Sequence, residues 1–160
     1  MKIKKLNWCT GHGAPVKFEK IVNILTEEIN KGAKIFIGTD SFSSRMNCTF
    51  ASAICIHGEN SSGRYFFVRE NEPVIIYKQL VVRLTEEVRR TIEIASVLSE
   101  DYNIKSRNLE LHLDVSPFHL KNGTSKFSEM LRGYVSGAGF YCRIKPNAWA
   151  SQSVADKHSK

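Results

Sequence analysis

The chain has 160 residues, of which 42% are hydrophobic, and this length suits one domain with a sizeable core rather than two ordinary domains. Its formal net charge is +7, with lysine and arginine spread along the chain, and such a positive field favours a polyanionic partner such as nucleic acid. The four cysteines form neither a C-x-x-C pair nor a dense framework, and there is no signal peptide or long apolar span, which excludes a disulfide-stapled scaffold and a membrane-spanning protein. We therefore expect a cytoplasmic protein with a single domain over residues 1–160.

The first part of the chain predicts a basic lead-in, a helix and a buried strand. Residues 1–15 are basic and turn-rich, which indicates an extended lead-in. Residues 16–31 repeat apolar side chains at helical spacing and are followed by Gly32, which predicts an additional N-terminal helix. Residues 34–41 contain three large apolar residues in succession, as expected of a central strand covered on both faces. Gly38 in this strand allows another backbone to approach closely.

The remaining sequence predicts further strands and helices. Residues 48–56 and 64–69 are rich in β-forming residues and flank a strong turn, so they extend the first strand into an antiparallel meander. A long helix is predicted over residues 76–99 and leads to a fourth strand over residues 109–115. Because this helix forms a crossover connection, we expect the fourth strand to be parallel to the first strand, at residues 34–41. The rest of the chain predicts a loop, a helix, a fifth strand and a closing helix, at residues 117–124, 125–135, 140–145 and 148–158.

Two of the predicted strands end in a carboxylate. Asp40 follows the apolar run of the first strand, and Asp114 lies near the end of the strand at residues 109–115. The carboxyl ends of neighbouring parallel strands share one edge of a sheet, where the ligand and metal sites of open α/β sheets lie. Two carboxylates held that close repel each other unless a cation or a proton lies between them. Each residue also has a structural alternative, because aspartate commonly forms turns where a strand ends.

Short sequence motifs, taken in this order, resemble those of a known family. They are the runs Ile37–Ser41, Leu111–Asp114, Ile144–Pro146 and Ala150–Lys160. From about residue 16 to the end, the chain resembles the YkuK-type family of predicted ribonuclease H-like nucleases. The resemblance implies an α/β fold with a mixed five-stranded sheet, in which three antiparallel strands are followed by two parallel ones, and with helices on both faces.

The resemblance also implies a metal site of three or four carboxylates from the first strand, the long helix, the fourth strand and the last helix. The matching residues are Asp40, one of Glu86 and Glu87, Asp114 and Asp156. At about 100° per residue, Glu87 lies on the margin of the apolar stripe of its helix and Glu86 lies nearly opposite, so Glu87 is our candidate. The alternative for either glutamate is a solvated ion pair with a helix arginine, and for Asp156 it is an ion pair near a frayed terminus.

Other polar and aromatic residues have weaker assignments. His112 shares a strand face with Asp114, and His158 follows Asp156 by two positions; either can orient water or a leaving group, although a structural histidine is the commoner case. Basic residues that can follow phosphates are Arg83, Arg89, Arg90, Lys126, Arg132, Arg143, Lys145 and Lys157. Aromatic residues that can stack on bases are Tyr65, Phe66 and Trp149. We expect most of these to be ordinary solvated or core residues.

The resulting hypothesis is a metal-dependent phosphodiesterase that acts on nucleic acid, whether RNA, DNA or a hybrid. Asp40 is expected to bridge two Mg²⁺ or Mn²⁺ ions, with Glu87 and Asp114 on one ion and Asp156 on the other. One ion activates the attacking water and the other stabilises the departing oxygen, and hard oxygen ligands argue against zinc. The alternative is a catalytically inactive ribonuclease H-like module that binds nucleic acid or a protein partner. An actin-like nucleotide-binding half shares the opening strand, but the chain shows no second half and no phosphate loop.

Overall fold

The buried strand predicted at residues 34–41 lies at the centre of a six-stranded sheet. The computed structural model describes residues 2–61, 63–117 and 123–160, so most of the loop predicted at residues 117–124 lies outside the described residues. In chain order the strands are β1 (Cys9–Thr10), β2 (Lys34–Ser43), β3 (Asn47–His57), β4 (Arg64–Pro73), β5 (Leu109–His112) and β6 (Tyr141–Arg143). Their order across the sheet is β1-β4-β3-β2-β5-β6.

The sheet is mixed, as predicted. β2, β3 and β4 form an antiparallel meander, because only short connections separate them along the chain. β5 pairs parallel to β2, and β6 pairs parallel to β5. A parallel pair requires a crossover connection, which here includes the long helix between β4 and β5. The carboxyl ends of β2 and β5 therefore lie at the same edge of the sheet.

Helices cover both faces of the sheet, which confirms the predicted arrangement. In chain order they are α1 (Lys2–Lys5), α2 (Phe18–Asn30), α3 (Leu80–Tyr102), α4 (Ser128–Gly137) and α5 (Asp156–Ser159). The first four pack into the core cluster to which β2 contributes Ile35 and Ile37. The opposite face is covered by a π-helical segment, Ala150–Ala155, that continues into α5; we call these two segments the terminal helix.

Polar contacts fix α3 over the end of β2. The Oγ1 atom of Thr91 lies 2.9 Å from Oγ1 of Thr39, which lies 2.8 Å from Oγ of Ser52 on β3. All three side chains are buried, so these hydrogen bonds satisfy hydroxyl groups that would otherwise be costly to bury. The contacts set the position of α3, and hence of its glutamates, relative to the carboxyl end of β2.

Two expectations from the sequence are wrong in detail. The sheet has a sixth strand, because Cys9 and Thr10 pair antiparallel with Phe67 and Phe66 of β4. Residues 1–15 are therefore not an extended lead-in: they contain α1 and β1, and the buried indole of Trp8 donates a hydrogen bond to the carbonyl of Ile3 at 2.9 Å. A two-residue strand is too short to show an alternating pattern, and the glycines and proline around it indicate only a turn.

Element boundaries shift by a few residues. The helix predicted at residues 76–99 begins at Leu80 and follows a 3₁₀ turn, Val74–Tyr77, because Pro73 ends β4. The strand predicted at residues 109–115 ends at His112, so Asp114 lies two residues beyond the strand. None of the helices in the described part of the chain is long and apolar enough to cross a membrane.

Candidate carboxylate site

Asp40 stands at the centre of a group of carboxyl groups at the carboxyl end of β2. Side chains alternate along a strand, so Asp40 shares a face with Gly38, whereas Thr39 and Ser41 face α3. Asp40 is buried, and its Oδ2 atom lies 3.0 Å from Oγ of Ser159 in α5. The strand thus directs Asp40 toward the terminal helix and its neighbours toward α3.

Asp114 reaches the same edge through the parallel pairing of β5 with β2. Gly38 is the register partner of His112 at the end of β5, and Asp40 and Asp114 each lie two residues further along the chain. The two carboxyl groups are close enough for the negative charge of Asp114, and a hydrogen bond with it, to raise the pKa of Asp40. The expectation that residues 40 and 114 face each other across one edge is confirmed as geometry.

Asp156 is brought to Asp40 by the close approach of the terminal helix to β2. A Cβ atom built on Gly38 would lie 2.5 Å from the backbone nitrogen of Ser151, so only glycine leaves room for this crossing. The backbone N–H of Ala150 donates a hydrogen bond to Nδ1 of His112 at 3.0 Å, which ties the start of the terminal helix to β5. Further along the terminal helix, Asp156 lies close enough to Asp40 to help raise the pKa of the Asp40 carboxyl group.

The two adjacent glutamates of α3 have different environments. Glu87 is buried, accepts a hydrogen bond from the hydroxyl of Ser41 and lies close enough to feel the charges of Asp40 and Asp114. Glu86 instead accepts hydrogen bonds from the guanidinium groups of Arg89 and Arg90 at 2.8 Å. The prediction that Glu87 rather than Glu86 faces Asp40 is confirmed, and the ion-pair alternative applies to Glu86.

Proton binding compensates the gathered negative charge. Burial, the charge of Asp114 and hydrogen bonds with Asp114 and Asp156 raise the pKa of Asp40 from 3.8 to about 7, against a hydrogen bond from Ser159 that lowers it. Burial and the charges of Asp40 and Asp114 raise the pKa of Glu87 well above its ordinary value, opposed by Ser41 and Arg83. Both carboxyl groups therefore retain protons at a pH where an exposed carboxylate is ionised.

Two lysines neutralise the outer carboxylates. Nζ of Lys145 lies 3.0 Å from Oδ1 of Asp114, and Nζ of Lys160 lies 3.0 Å from Oδ1 of Asp156. Oδ1 of Asp114 is buried and accepts no hydrogen bond of good geometry from the described residues, among which the ion pair with Lys145 is its main stabilising contact. Both lysines are at least one-third exposed, which leaves their ammonium groups free to move away.

As oxygen ligands, the four carboxylates are chemically suited to a hard divalent cation. Their present arrangement, however, does not form a metal site. Oxygen ligands with excess negative charge are what Mg²⁺ and Mn²⁺ prefer. In residues 2–61, 63–117 and 123–160, however, no three His, Cys, Asp or Glu side chains are arranged so that they could hold a metal ion. The buried Oδ1 of Asp114, which lacks a well-directed hydrogen bond, is the atom that most clearly fits an added cation.

Most of the other candidate residues have structural roles. His112 is almost fully buried between Ala150 and Glu110, and burial lowers the pKa of its imidazole, so it is a neutral anchor for the terminal helix. Phe66 is fully buried in the core. Trp149 packs against Phe36, His57 and His112. Arg89 and Arg90 are held in ion pairs by glutamates.

Sequence reasoning missed three residues that support the carboxylates. Ser41 and Ser159 donate to Glu87 and Asp40, and Lys160 pairs with Asp156. Strand alternation could have found Ser41, because it places residue 41 on the same face as Ile37 and Thr39 and hence toward α3. Ser159 and Lys160 lie three and four residues after Asp156, which is helical spacing, but only a continued helix gives that spacing meaning.

A mixed sheet whose parallel edge gathers acidic residues from two strands and two helices defines a ribonuclease H type of domain. The family model described as Ribonuclease H-like matches residues 17–160. The match covers most of the chain, so the protein belongs to the ribonuclease H-like family. No curated protein sequence matches the chain. The narrower YkuK-type assignment stays a prediction.

Proposed function

We propose that the protein is a divalent-metal-dependent phosphodiesterase that hydrolyses nucleic acid. The observation that carries this proposal is the convergence of four carboxyl groups, from Asp40, Glu87, Asp114 and Asp156, on one edge of the sheet. Membership of the ribonuclease H-like family and the net charge of +7 support a nucleic-acid ligand. Gathering four acids, two of them buried, costs stability, so a ligand that uses them is the simplest reason for the arrangement.

In this proposal the four carboxylates would hold Mg²⁺ or Mn²⁺ ions. When bound, such ions supply activation of the attacking water and neutralisation of charge on the phosphate. The chain's own residues have separate tasks. Asp40 and Glu87 release their protons as metal enters, Lys145 and Lys160 move off Asp114 and Asp156, and Ser159 and Ser41 hold the two central carboxyl groups in orientation.

The test is cleavage of labelled single-stranded RNA, single-stranded DNA and an RNA–DNA hybrid with added Mg²⁺ or Mn²⁺. We expect cleavage by the unaltered chain, none by Asp40→Asn, and metal binding by calorimetry only in the former. The control is Asp101→Asn, which removes an ion pair with Lys4 at the far end of α3, about 21 Å along the helix from Glu87. Cleavage that survives in Asp40→Asn would falsify the proposed site.

A second candidate is a catalytically inactive module that binds nucleic acid through the same fold. Two observations favour it. Lysine ammonium groups already neutralise Asp114 and Asp156, and no group of three His, Cys, Asp or Glu side chains among the described residues is arranged to hold a metal ion. This candidate predicts oligonucleotide binding without any heat of Mg²⁺ or Mn²⁺ binding. Calorimetry on the unaltered chain therefore separates the two functions.

A further inference from the structure

The cations near the carboxylates divide into paired and unpaired groups. On α3, Arg89 pairs with Glu86 and Glu93, and the almost fully buried Arg90 pairs with three glutamates, those at positions 70, 72 and 86. These guanidinium groups are already saturated, so a phosphate would have to break ion pairs to reach them. The middle of α3 therefore offers little to a polyanion, whereas Arg83 near its amino end donates a hydrogen bond to Ser43 and forms no ion pair with a described residue.

Arg69 differs, because it is exposed and forms no ion pair with any described residue. It lies in the same row of the sheet as Asp40: Asp40 pairs with Ala51 on β3, and Ala51 pairs with Arg69 on β4. Two strand spacings put the Cα atoms of Asp40 and Arg69 about 10 Å apart on one face of the sheet. The intervening residue, Ala51, is fully buried, because the terminal helix packs on this face of the sheet and covers part of the route between Arg69 and Asp40.

Lys157 supplies a second cation beside the same strand. It follows Asp156 directly in α5, and its ammonium group lies 5.2 Å from the centre of the Tyr65 ring. Lys157 and Tyr65 line an open cleft of about 580 Å³ together with His12 and Arg64. No acidic side chain lines this cleft, and residues 10–12, which form one wall, precede the region that matches the family.

The cleft and Arg69 are connected along β4. Tyr65, Phe67 and Arg69 alternate onto one face, and they span about 14 Å of strand. His158 stacks on Phe67 with ring centres 3.7 Å apart and lies 2.8 Å from the hydroxyl of Tyr65, while Arg69 is close enough to contribute to lowering its pKa. The path from the cleft to the row of Asp40 is thus lined by cations and rings.

We infer that the sugar–phosphate backbone of a nucleic acid follows β4, with phosphates bound by Lys157 and Arg69 on the way to Asp40. Cations that form no ion pair with a described residue, placed beside aromatic rings, suit the phosphates and bases of a nucleic-acid strand. This inference rests on the proposed function for its direction toward Asp40, but the binding path itself does not require cleavage.

The test measures binding of labelled single-stranded RNA, single-stranded DNA and hybrid in the full-length Asp40→Asn background, which prevents turnover. We expect Arg69→Gln and Lys157→Gln each to weaken binding about 3- to 10-fold and to lower the slope of log K against log salt by about 0.7–0.9. The control is Arg107→Gln, an exposed and equally unpaired arginine at the amino end of β5, at the opposite edge of the sheet.

Each result bears on one of the two proposals. Binding that is unchanged in both variants, or lost equally in Arg107→Gln, overturns the path along β4, as does the absence of any oligonucleotide binding. The cleavage assay on the otherwise unaltered chain is a separate measurement. If Arg69→Gln weakens binding but the unaltered chain cleaves nothing with either Mg²⁺ or Mn²⁺, the binding path along β4 is supported and the nuclease proposal is overturned. If the unaltered chain cleaves but Arg69→Gln and Lys157→Gln bind normally, the nuclease proposal is supported and the binding path is overturned.

Discussion

A Cβ atom at Gly38 would lie 2.5 Å from the backbone nitrogen of Ser151 and 2.8 Å from the carbonyl carbon of Ala150. The terminal helix therefore rests directly on the backbone of β2, two residues before Asp40. This contact sets the height at which Asp156 and Ser159 meet Asp40. The absence of a side chain at position 38 thus allows the terminal helix to bring Asp156, one of the four carboxylates, to the site.

Gly38→Ala is expected to destabilise the protein and to weaken the site. The added methyl group meets backbone atoms, which cannot rotate away, so we expect a loss of about 1–3 kcal/mol in the free energy of unfolding. Urea denaturation measures this loss. Gly133→Ala in α4 is the matched control, because its Cβ meets nothing within 4 Å and alanine favours a helix. Equal stability of the two variants would contradict the close crossing.

The metal-free protein should lose stability as pH rises from about 4 to 7. The folded state holds the Asp40 proton up to about pH 7, whereas the unfolded chain releases it near 3.8, so the folded state binds more protons across this window. The difference corresponds to as much as about 4 kcal/mol. Asp40→Asn, which mimics the protonated acid, should flatten the dependence and be the more stable protein at pH 7.5.

Thermal unfolding in chelator across the pH range measures this effect. The Asp101→Asn chain is again the control, since its carboxylate pairs with Lys4 on the surface and should leave the wild-type slope intact. A wild-type stability that rises between pH 4 and 7 would show that the central carboxyl groups are not protonated in the folded protein.

Neutralising the two adjacent glutamates should have opposite effects on metal-free stability. Glu87→Gln replaces an acid whose ionised form is disfavoured by burial and by the charges of Asp40 and Asp114, so stability at neutral pH is expected to rise while any binding of Mn²⁺ weakens. Glu86→Gln removes a partner of the almost fully buried Arg90, with an expected loss of about 1–3 kcal/mol. Urea denaturation and Mn²⁺ calorimetry on both variants measure the contrast. Effects of the same sign would contradict the separate environments of the two residues.

Lys145→Met should raise the affinity for Mn²⁺. The ammonium group of Lys145 lies 3.0 Å from Oδ1 of Asp114 and competes with any cation for that atom. A partly exposed ion pair contributes about 0.2–1 kcal/mol, so we expect affinity to rise by about 1.4- to 5-fold in a calorimetric titration. Lys105→Met, an exposed lysine at the amino end of β5, should leave the affinity unchanged. Weaker binding in Lys145→Met would mean that the lysine supports the site rather than competing for it.

Local patterns in the sequence were enough for the main elements and for the composition of the site. The apolar run before Asp40, the meander and the amphipathic α3 follow from periodicity, which depends only on neighbouring residues. The same periodicity distinguished Glu87 from Glu86, because both the stripe and the glutamates lie within one helix. The two-residue β1 and the ordered segment before residue 16 gave no such signal, since their structure depends on pairing with β4 and packing of Trp8.

The sequence by itself determined which acids stand at the ends of strands and on which helix face each one lies. Only the tertiary structure decided that Asp156 meets Asp40, that Lys145 and Lys160 neutralise the outer acids, and that Arg69, unlike Arg89 and Arg90, forms no ion pair with a described residue. The physical reason is the distance along the chain over which each kind of interaction acts. Backbone periodicity acts over a few residues, whereas the environment of a carboxyl group depends on residues as distant in the chain as Asp40 and Ser159, which are 119 positions apart and which only folding brings together.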